Sequence, residues 1–401
     1  MVNWYNPIYP LEDLMIYDLL MREMSDRHLY LYETYGPFFV CSYAMHHFNL
    51  FNKKEDPVTK EAKGAYWIGG KVPDARSSLL MVAPSGYMKT TYFDTMEDIV
   101  GHAGAKMVHK STMSEAAFIG TVKDVNGSPV KTPGVAEKHA NDIVMIGEFS
   151  AITQAMKQAY NANLGPQLLD VLDHGNVNKD LGPGGFGFTT KLTMWAGVQP
   201  SHYELSSGLG RRICPLIFLP TKADDDALQN LKPLRAGIRK DYERHKVITD
   251  KVHEWIEQFS CIKEVTFAPS VYQLHKDINL FQFESEYFDR ILLGYHLAKY
   301  GASEYITVDV SDSEIRRLIE IQKTWRGIIY EGIDSVMILN IIRSVVQPTD
   351  EGLVAKRKDI AKACEMVSWN KRDVYKKIKE LVDDGYVSQV GEVVRWLGPI
   401  K

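Results

Sequence analysis

Cysteine is scarce in this 401-residue chain: Cys41, Cys214, Cys261 and Cys364 lie far apart, and none forms a Cys-x-x-Cys pair. That spacing argues against a disulfide framework and against zinc, and the apolar neighbours of each predict reduced, buried thiols in a cytoplasmic protein. Long hydrophobic runs are also missing. No stretch approaches 18 uninterrupted apolar residues, and Glu12 and Asp13 stand where a secretion signal needs a basic and then an apolar run, so neither export nor membrane insertion is expected. Nor is there an excess of one charge, because 47 Lys and Arg against 51 Asp and Glu leave a net charge of -4. Any attraction to nucleic acid must therefore come from a local patch and not from the field of the whole protein.

What the sequence does have is 45% hydrophobic positions, enough for a large core divided among two or three domains. Residues 1–60 form a helical entry, with apolar residues at helical spacing from Leu11 to Phe51, a break at Gly36-Pro37, and a polar stretch from Lys53. Within 61–223, four short apolar runs (78–82, 143–146, 192–196 and 215–219) each end in a turn and are separated by helical patterns. Such runs predict an α/β core, a parallel sheet covered on both faces, with ligands bound at the carboxyl ends of its strands. Residues 224–334 have helical periodicity and are expected to form a separate lid. Residues 335–401 follow the order helix, short helix, longer helix and terminal hairpin, which is that of a winged helix.

The stretch Ala83-Pro84-Ser85-Gly86-Tyr87-Met88-Lys89-Thr90-Thr91 follows the first apolar run and opens a helix. This is the context of a phosphate-binding loop: backbone N–H groups cradle phosphates, Lys89 meets the β- and γ-phosphates, and the Thr90 hydroxyl ligates magnesium. Two positions depart from the usual pattern, Ala83 at the first glycine and Met88 directly before the lysine. An ordinary strand-to-helix turn with a surface lysine is the competing account. The second run ends in Gly147-Glu148-Phe149, where nucleotide hydrolases carry Asp-Glu. Glu148 would polarise the attacking water, or else simply cap a helix, and Gly147 stands where the magnesium-supporting aspartate belongs.

The order of several segments resembles the minichromosome maintenance (MCM) branch of the AAA+ ATPases. Thr34-Tyr35-Gly36 through Leu50-Phe51 is similar to that family's helix before the core. The run from Lys110 to Gly120, then Val122 to Gly127 and Pro133-Gly134, is similar to its channel-facing insertion hairpin. Residues 168–187 resemble its second hairpin, which would place Lys179 on the DNA backbone; a solvated loop lysine is the alternative. Trp195 to Pro200 resembles the first-sensor strand, with Gln199 at the sensor position. Ser206 to Ile213 resembles the segment with the arginine finger, which implies that Arg212, or Arg211, reaches the ATP of the next subunit, against a surface ion pair as the plainer role. Phe288 to Lys299 resembles the second-sensor helix, whose usual arginine position falls near Ser285, with Arg290 the nearby arginine. The resemblance implies ATP and Mg2+ as cofactors, DNA as partner, and a homo-oligomeric ring, by that likeness a hexamer, acting as a helicase or translocase in replication. A hydrolysis-poor DNA-binding scaffold, loader or regulator is the alternative.

The local basic patch falls on the helix from Asn370 to Val382, which Ser368 is placed to cap. With Val374, Ile378, Leu381 and Val382 inward, Lys371, Arg372, Tyr375, Lys376 and Lys379 lie outward, suited to a major groove.

Overall fold

The computed structural model describes residues 10–51, 67–68, 75–111, 113–126, 128–158, 163–173, 175–180, 184–203, 209, 212–238, 241–280, 282–350, 352–365 and 369–397. The chain opens with α1 (Ile16–Asp26), an amphipathic helix that buries Ile16, Leu19, Leu20 and Met24. Next comes α2 (Tyr32–Phe51), which is buried on almost every side. The sequence predicted a break at Gly36-Pro37, yet α2 runs through it. Proline at 37 cannot donate to the Glu33 carbonyl, and Arg317 Nη2 donates to that carbonyl instead at 2.5 Å, so the gap in the helix ladder is filled from outside.

The core follows as β1 (Trp67–Ile68), β2 (Ser78–Val82), α3 (Lys89–Val100), β3 (Met107–Lys110), α4 (Glu115–Phe118), β4 (Gly120–Val125), β5 (Ser128–Pro133), α5 (Val135–Lys138), β6 (Ile143–Ile146), α6 (Ser150–Met156), α7 (Leu164–Leu172), β7 (Asn176–Lys179), β8 (Phe186–Thr189), β9 (Thr193–Val198) and β10 (Ile213–Ile217). Five of these strands form an all-parallel sheet flanked by helices, in the order β10-β2-β9-β6-β3. The expected four strands are therefore five. The extra one, β3, is an edge strand with only Met107 fully buried, so it lacks the continuous apolar run that marks a central parallel strand. β4–β5 and β7–β8 are antiparallel hairpins standing off this sheet.

After the core come α8 (Lys222–Ala236), α9 (Tyr242–Glu257), β11 (Glu264–Phe267), α10 (Pro269–Asp277), α11 (Gln282–Tyr300), β12 (Tyr305–Val308) and α12 (Ser313–Glu331). This region is not purely helical, since β11 and β12 join β1 in a small parallel sheet. It does not close a core of its own either: buried residues from Ile16 to Ile333 make one continuous cluster. In that cluster α11 crosses α2 so closely that a Cβ on Gly294 would lie 2.6 Å from the Cys41 carbonyl oxygen. α8 is different, because it buries no residue. Its amino end is held by a Thr221–Asp224 capping box, by Tyr30 Oη donating to Asp224 at 2.6 Å and by Tyr87 Oη donating to Asp225. At its other end Arg235 Nε donates to the His28 carbonyl at 2.9 Å.

The last unit comprises α13 (Ile333–Val345), β13 (Gln347–Thr349), β14 (Gly352–Lys356), α14 (Arg357–Glu365), α15 (Lys371–Asp383), β15 (Val387–Val390) and β16 (Val393–Trp396). Its three helices close a second core against a four-stranded antiparallel sheet, β13-β14-β16-β15, two strands more than the sequence pattern suggested. α13 packs on the turn Pro200–His202 of the core. Cys41, Cys214 and Cys364 are buried free thiols as expected, whereas Cys261 is exposed, because it falls in the turn that ends α9 and not on an apolar face. Among the described residues no helix is long and apolar enough to cross a membrane.

Polar groups fasten α2 to the sheet. Trp195 Nε1 donates to Ser42 Oγ at 2.7 Å, and Ser42 Oγ donates to the Ser77 carbonyl. His46 bridges Thr193 Oγ1 at 2.8 Å and the Asn141 carbonyl at 3.1 Å; burial pushes its pKa down to about 3, so the ring is neutral. Lys191 donates to the Asn49 carbonyl at 2.6 Å, at the negative end of α2. Replacing Ser42 with Ala strands the buried indole N–H of Trp195, and chemical denaturation should show a loss of about 1–3 kcal/mol. An unchanged midpoint would mean that the serine does not fasten the helix.

Candidate functional site

β2 is buried along its whole length and delivers the chain into the loop 83–88 at its carboxyl end. Gly86 adopts φ +80°, open to glycine at no cost, and Met88 adopts φ +45° immediately before α3. The methionine at 88 thus stands in a conformation that favours glycine, and it is kept there with its side chain 4% exposed. Ser85, Gly86 and Thr90 face solvent, while Lys89 turns inward. Its ammonium donates to the carbonyls of Ala83 at 2.6 Å and Pro84 at 3.0 Å. Burial pushes its pKa down to about 8, and the carboxylate of Glu148 pulls partly the other way.

Glu148 follows β6, the second strand away from β2. Its Oε1 accepts from the Ser150 N–H at 3.3 Å and its Oε2 from Gln199 Nε2 at 3.4 Å, so the residues ending β6 and β9 meet beside the loop. One glycine permits this convergence. A Cβ on Gly197 would lie 2.8 Å from both the Gly147 carbonyl oxygen and Lys89 Cδ, so no larger residue fits between strand and lysine. Gly147, by contrast, has room: a Cβ there would meet only Thr90 Cγ2, at an ordinary 3.5 Å. A glycine inside an apolar strand is the sequence signal that could have marked Gly197 in advance. Lys89, Thr90, Glu148 and Gln199 are thus gathered around the start of α3, an arrangement able to hold an anion and to orient a water against a carboxylate.

The other expected site residues lie further away. Thr91, on the first turn of α3, borders a cleft of about 1080 Å³ shared with Asp98, Arg235 and Arg244. Carboxylates outnumber guanidinium groups in that cleft, and Arg27 is paired with Asp98 and Arg244 with Glu23 and Asp26, so it does not extend the loop as an anion site. Arg212, just before β10, pairs with Asp173 at 2.6 Å; Arg211 lies outside the described residues. Lys179, expected to project from its hairpin, is instead paired with Glu115 at 2.7 Å, with side chains only 10% and 12% exposed. The two hairpins also meet where the Lys131 ammonium lies 4.8 Å from the centre of the Phe186 ring. Arg290 donates to the carbonyl of Arg76, ahead of β2, which places it at the opposite end of that strand from the loop.

On α15 the apolar stripe faces inward as expected, and Lys371, Arg372, Lys376 and Lys379 are exposed. Tyr375 is only half-exposed because the Arg357 guanidinium covers its ring at 4.0 Å. Ser368 lies outside the described residues, and the cap is Asn370, whose side chain accepts from the Asp373 N–H at 3.0 Å. The exposed face is a short basic strip flanked by Glu380, which pairs with Lys377 at 2.9 Å. No protein-family model matches the chain, and no curated protein matches it either.

The state of Lys89 has a consequence for stability. Its folded pKa of about 8 lies below the ordinary 10.5, so between those values the unfolded chain holds a proton that the folded chain has released. Stability therefore rises with pH across that window, by up to about 3 kcal/mol relative to a Lys89→Met variant, in which the effect vanishes. Urea denaturation of both proteins at pH 7.5 to 10 measures the difference; parallel curves would contradict a depressed, buried ammonium.

Proposed function

We propose that this chain is an ATP-binding AAA+ protein of MCM-like type that acts on DNA as a ring of identical subunits. The observation that carries this is where the site residues fall on the parallel sheet. Taken in sequence order, its strands stand fifth, first, fourth, third, second; the loop with Lys89 leaves the first, Glu148 the third and Gln199 the fourth, and Arg212 precedes the fifth. Phosphates would be held by the backbone N–H groups at the start of α3 and by the ammonium of Lys89, which would exchange the Ala83 and Pro84 carbonyls for phosphate oxygens. The Thr90 hydroxyl would ligate magnesium, which when bound neutralises phosphate charge. Glu148 would accept a proton from the attacking water, with Gln199 holding the carboxylate in place.

The paired hairpins β4–β5 and β7–β8 support a surface that meets DNA within the ring, and the last unit, taken as a winged helix, supplies a second contact through α15. A hydrolysis-poor scaffold or loader is the other reading, and one observation favours it: the position that faces Thr90 is Gly147, which brings no carboxylate there.

DNA-stimulated ATP turnover separates the two. Lys89→Ala should abolish ATP binding, and Glu148→Gln should retain binding and lose whatever turnover exists. Gly147→Asp, which the open space beside Thr90 accommodates, should raise turnover at least about tenfold. Wild-type turnover at the Lys89→Ala background would leave the scaffold; absence of ATP binding would end both readings. For the DNA surface, replacing Lys371, Arg372, Lys376 and Lys379 with Ala should flatten the slope of log affinity against log salt by about 3 to 4, at roughly 0.9 for each phosphate no longer neutralised. An unaltered slope would move the DNA away from α15.

A further inference from the structure

The hairpin β7–β8 is fastened at two levels. At the outer end of its ladder, Lys179 joins it to Glu115 and approaches the Gly120 carbonyl at 3.5 Å, on the neighbouring hairpin. At its root the chain leaves α7 through Asp173 and turns at Gly175, whose φ of +66° and tight approach to the Thr190 carbonyl admit no side chain. That root is clamped by two arginines from different parts of the core. Arg76, 3% exposed and fixed to the Leu192 carbonyl at 2.8 Å, donates to the Asp173 carbonyl at 3.1 Å. Arg212 donates to the Asp173 carboxylate at 2.6 Å, from side chains that are 24% and 41% exposed. The first clamp is buried; the second is partly exposed and of a kind weak enough to exchange.

A guanidinium takes a phosphate as readily as a carboxylate, with the same paired N–H geometry and a larger opposing charge. We propose that Asp173 is the resting partner of Arg212, and that transfer of this guanidinium to a nucleotide phosphate held by an adjacent copy of the chain loosens the root of the β7–β8 hairpin. This rests on the ring and finger assignments made above. Asp173 is then a positioning residue: it stores the arginine when no neighbour's phosphate is present, and its release lets the hairpin pivot about the Lys179–Glu115 pair. Each subunit's hairpin thereby senses the nucleotide next door through the Arg212–Asp173 salt bridge.

Hydrogen exchange of the full-length chain tests this by following the amides of 176–179 and 186–189, with the amides of β2 and β9 in the same spectra as the control for folding. Without nucleotide, Asp173→Asn and Arg212→Gln should each speed hairpin exchange about three- to tenfold, and the double variant no further. With Mg-ATP the wild-type hairpin should speed up to match, while Asp173→Asn should not respond. Unchanged exchange in the single variants, or additive effects in the double, would overturn the inference. Calorimetric titration of ATP in parallel separates the two levels of failure. A chain that binds no ATP ends the functional reading and this exchange together; a chain that binds it while wild type and Asp173→Asn respond alike ends the exchange alone.

Discussion

The buried ammonium of Lys89 is the group on which the rest of the site depends. Taking a charged amine out of water is costly, and here the cost is offset by two carbonyls at the end of β2 and by the carboxylate of Glu148. Meeting that requirement brings the carboxyl ends of β2, β6 and β9 into register around one side chain. It explains why Gly197 has no side chain and why the residues after β6 and β9 touch. The polar fastening of α2 to Trp195, Ser77 and Thr193 serves the same end from below, because it holds the strands from which these residues extend.

Much of this frame was legible in the residues themselves, and the exceptions have physical causes. Strands buried on both faces announce themselves as apolar runs, as 78–82 and 143–146 do; β3, at the sheet edge, needs no such run and gave no signal. The hairpins could be placed from the family resemblance, yet the fate of Lys179 could not, since Glu115 lies 64 positions away in sequence, on α4, and only the fold makes it a partner. Pro37 is the same lesson in reverse. Local rules end a helix there, and a guanidinium from residue 317 overrides them. Propensity speaks for neighbours in sequence, whereas these outcomes were decided by neighbours in space.

The site is also tied to both ends of the molecule. Gln199 leads directly into the turn Pro200–His202 on which α13 packs, so the carboxylate end of the site and the unit carrying α15 share a stretch of three residues. On the other side, Tyr87 within the loop donates to Asp225 at the start of α8. A displacement of the loop is felt by both neighbours without any long chain of intermediates.

That last hydrogen bond gives α8 an unusual standing. A helix of 15 residues that fully buries none of them, and packs on the core through the partly buried Leu228, has little hydrophobic contribution of its own, so its docked state depends heavily on a few hydrogen bonds at its two ends. Warming weakens such bonds well before it disturbs a packed core, and the exposed residues Gly237 and Ile238 at its end are open to a protease once the helix lifts. The protein should therefore come apart in an order, with α8 leaving first while the sheet beneath it still holds its shape.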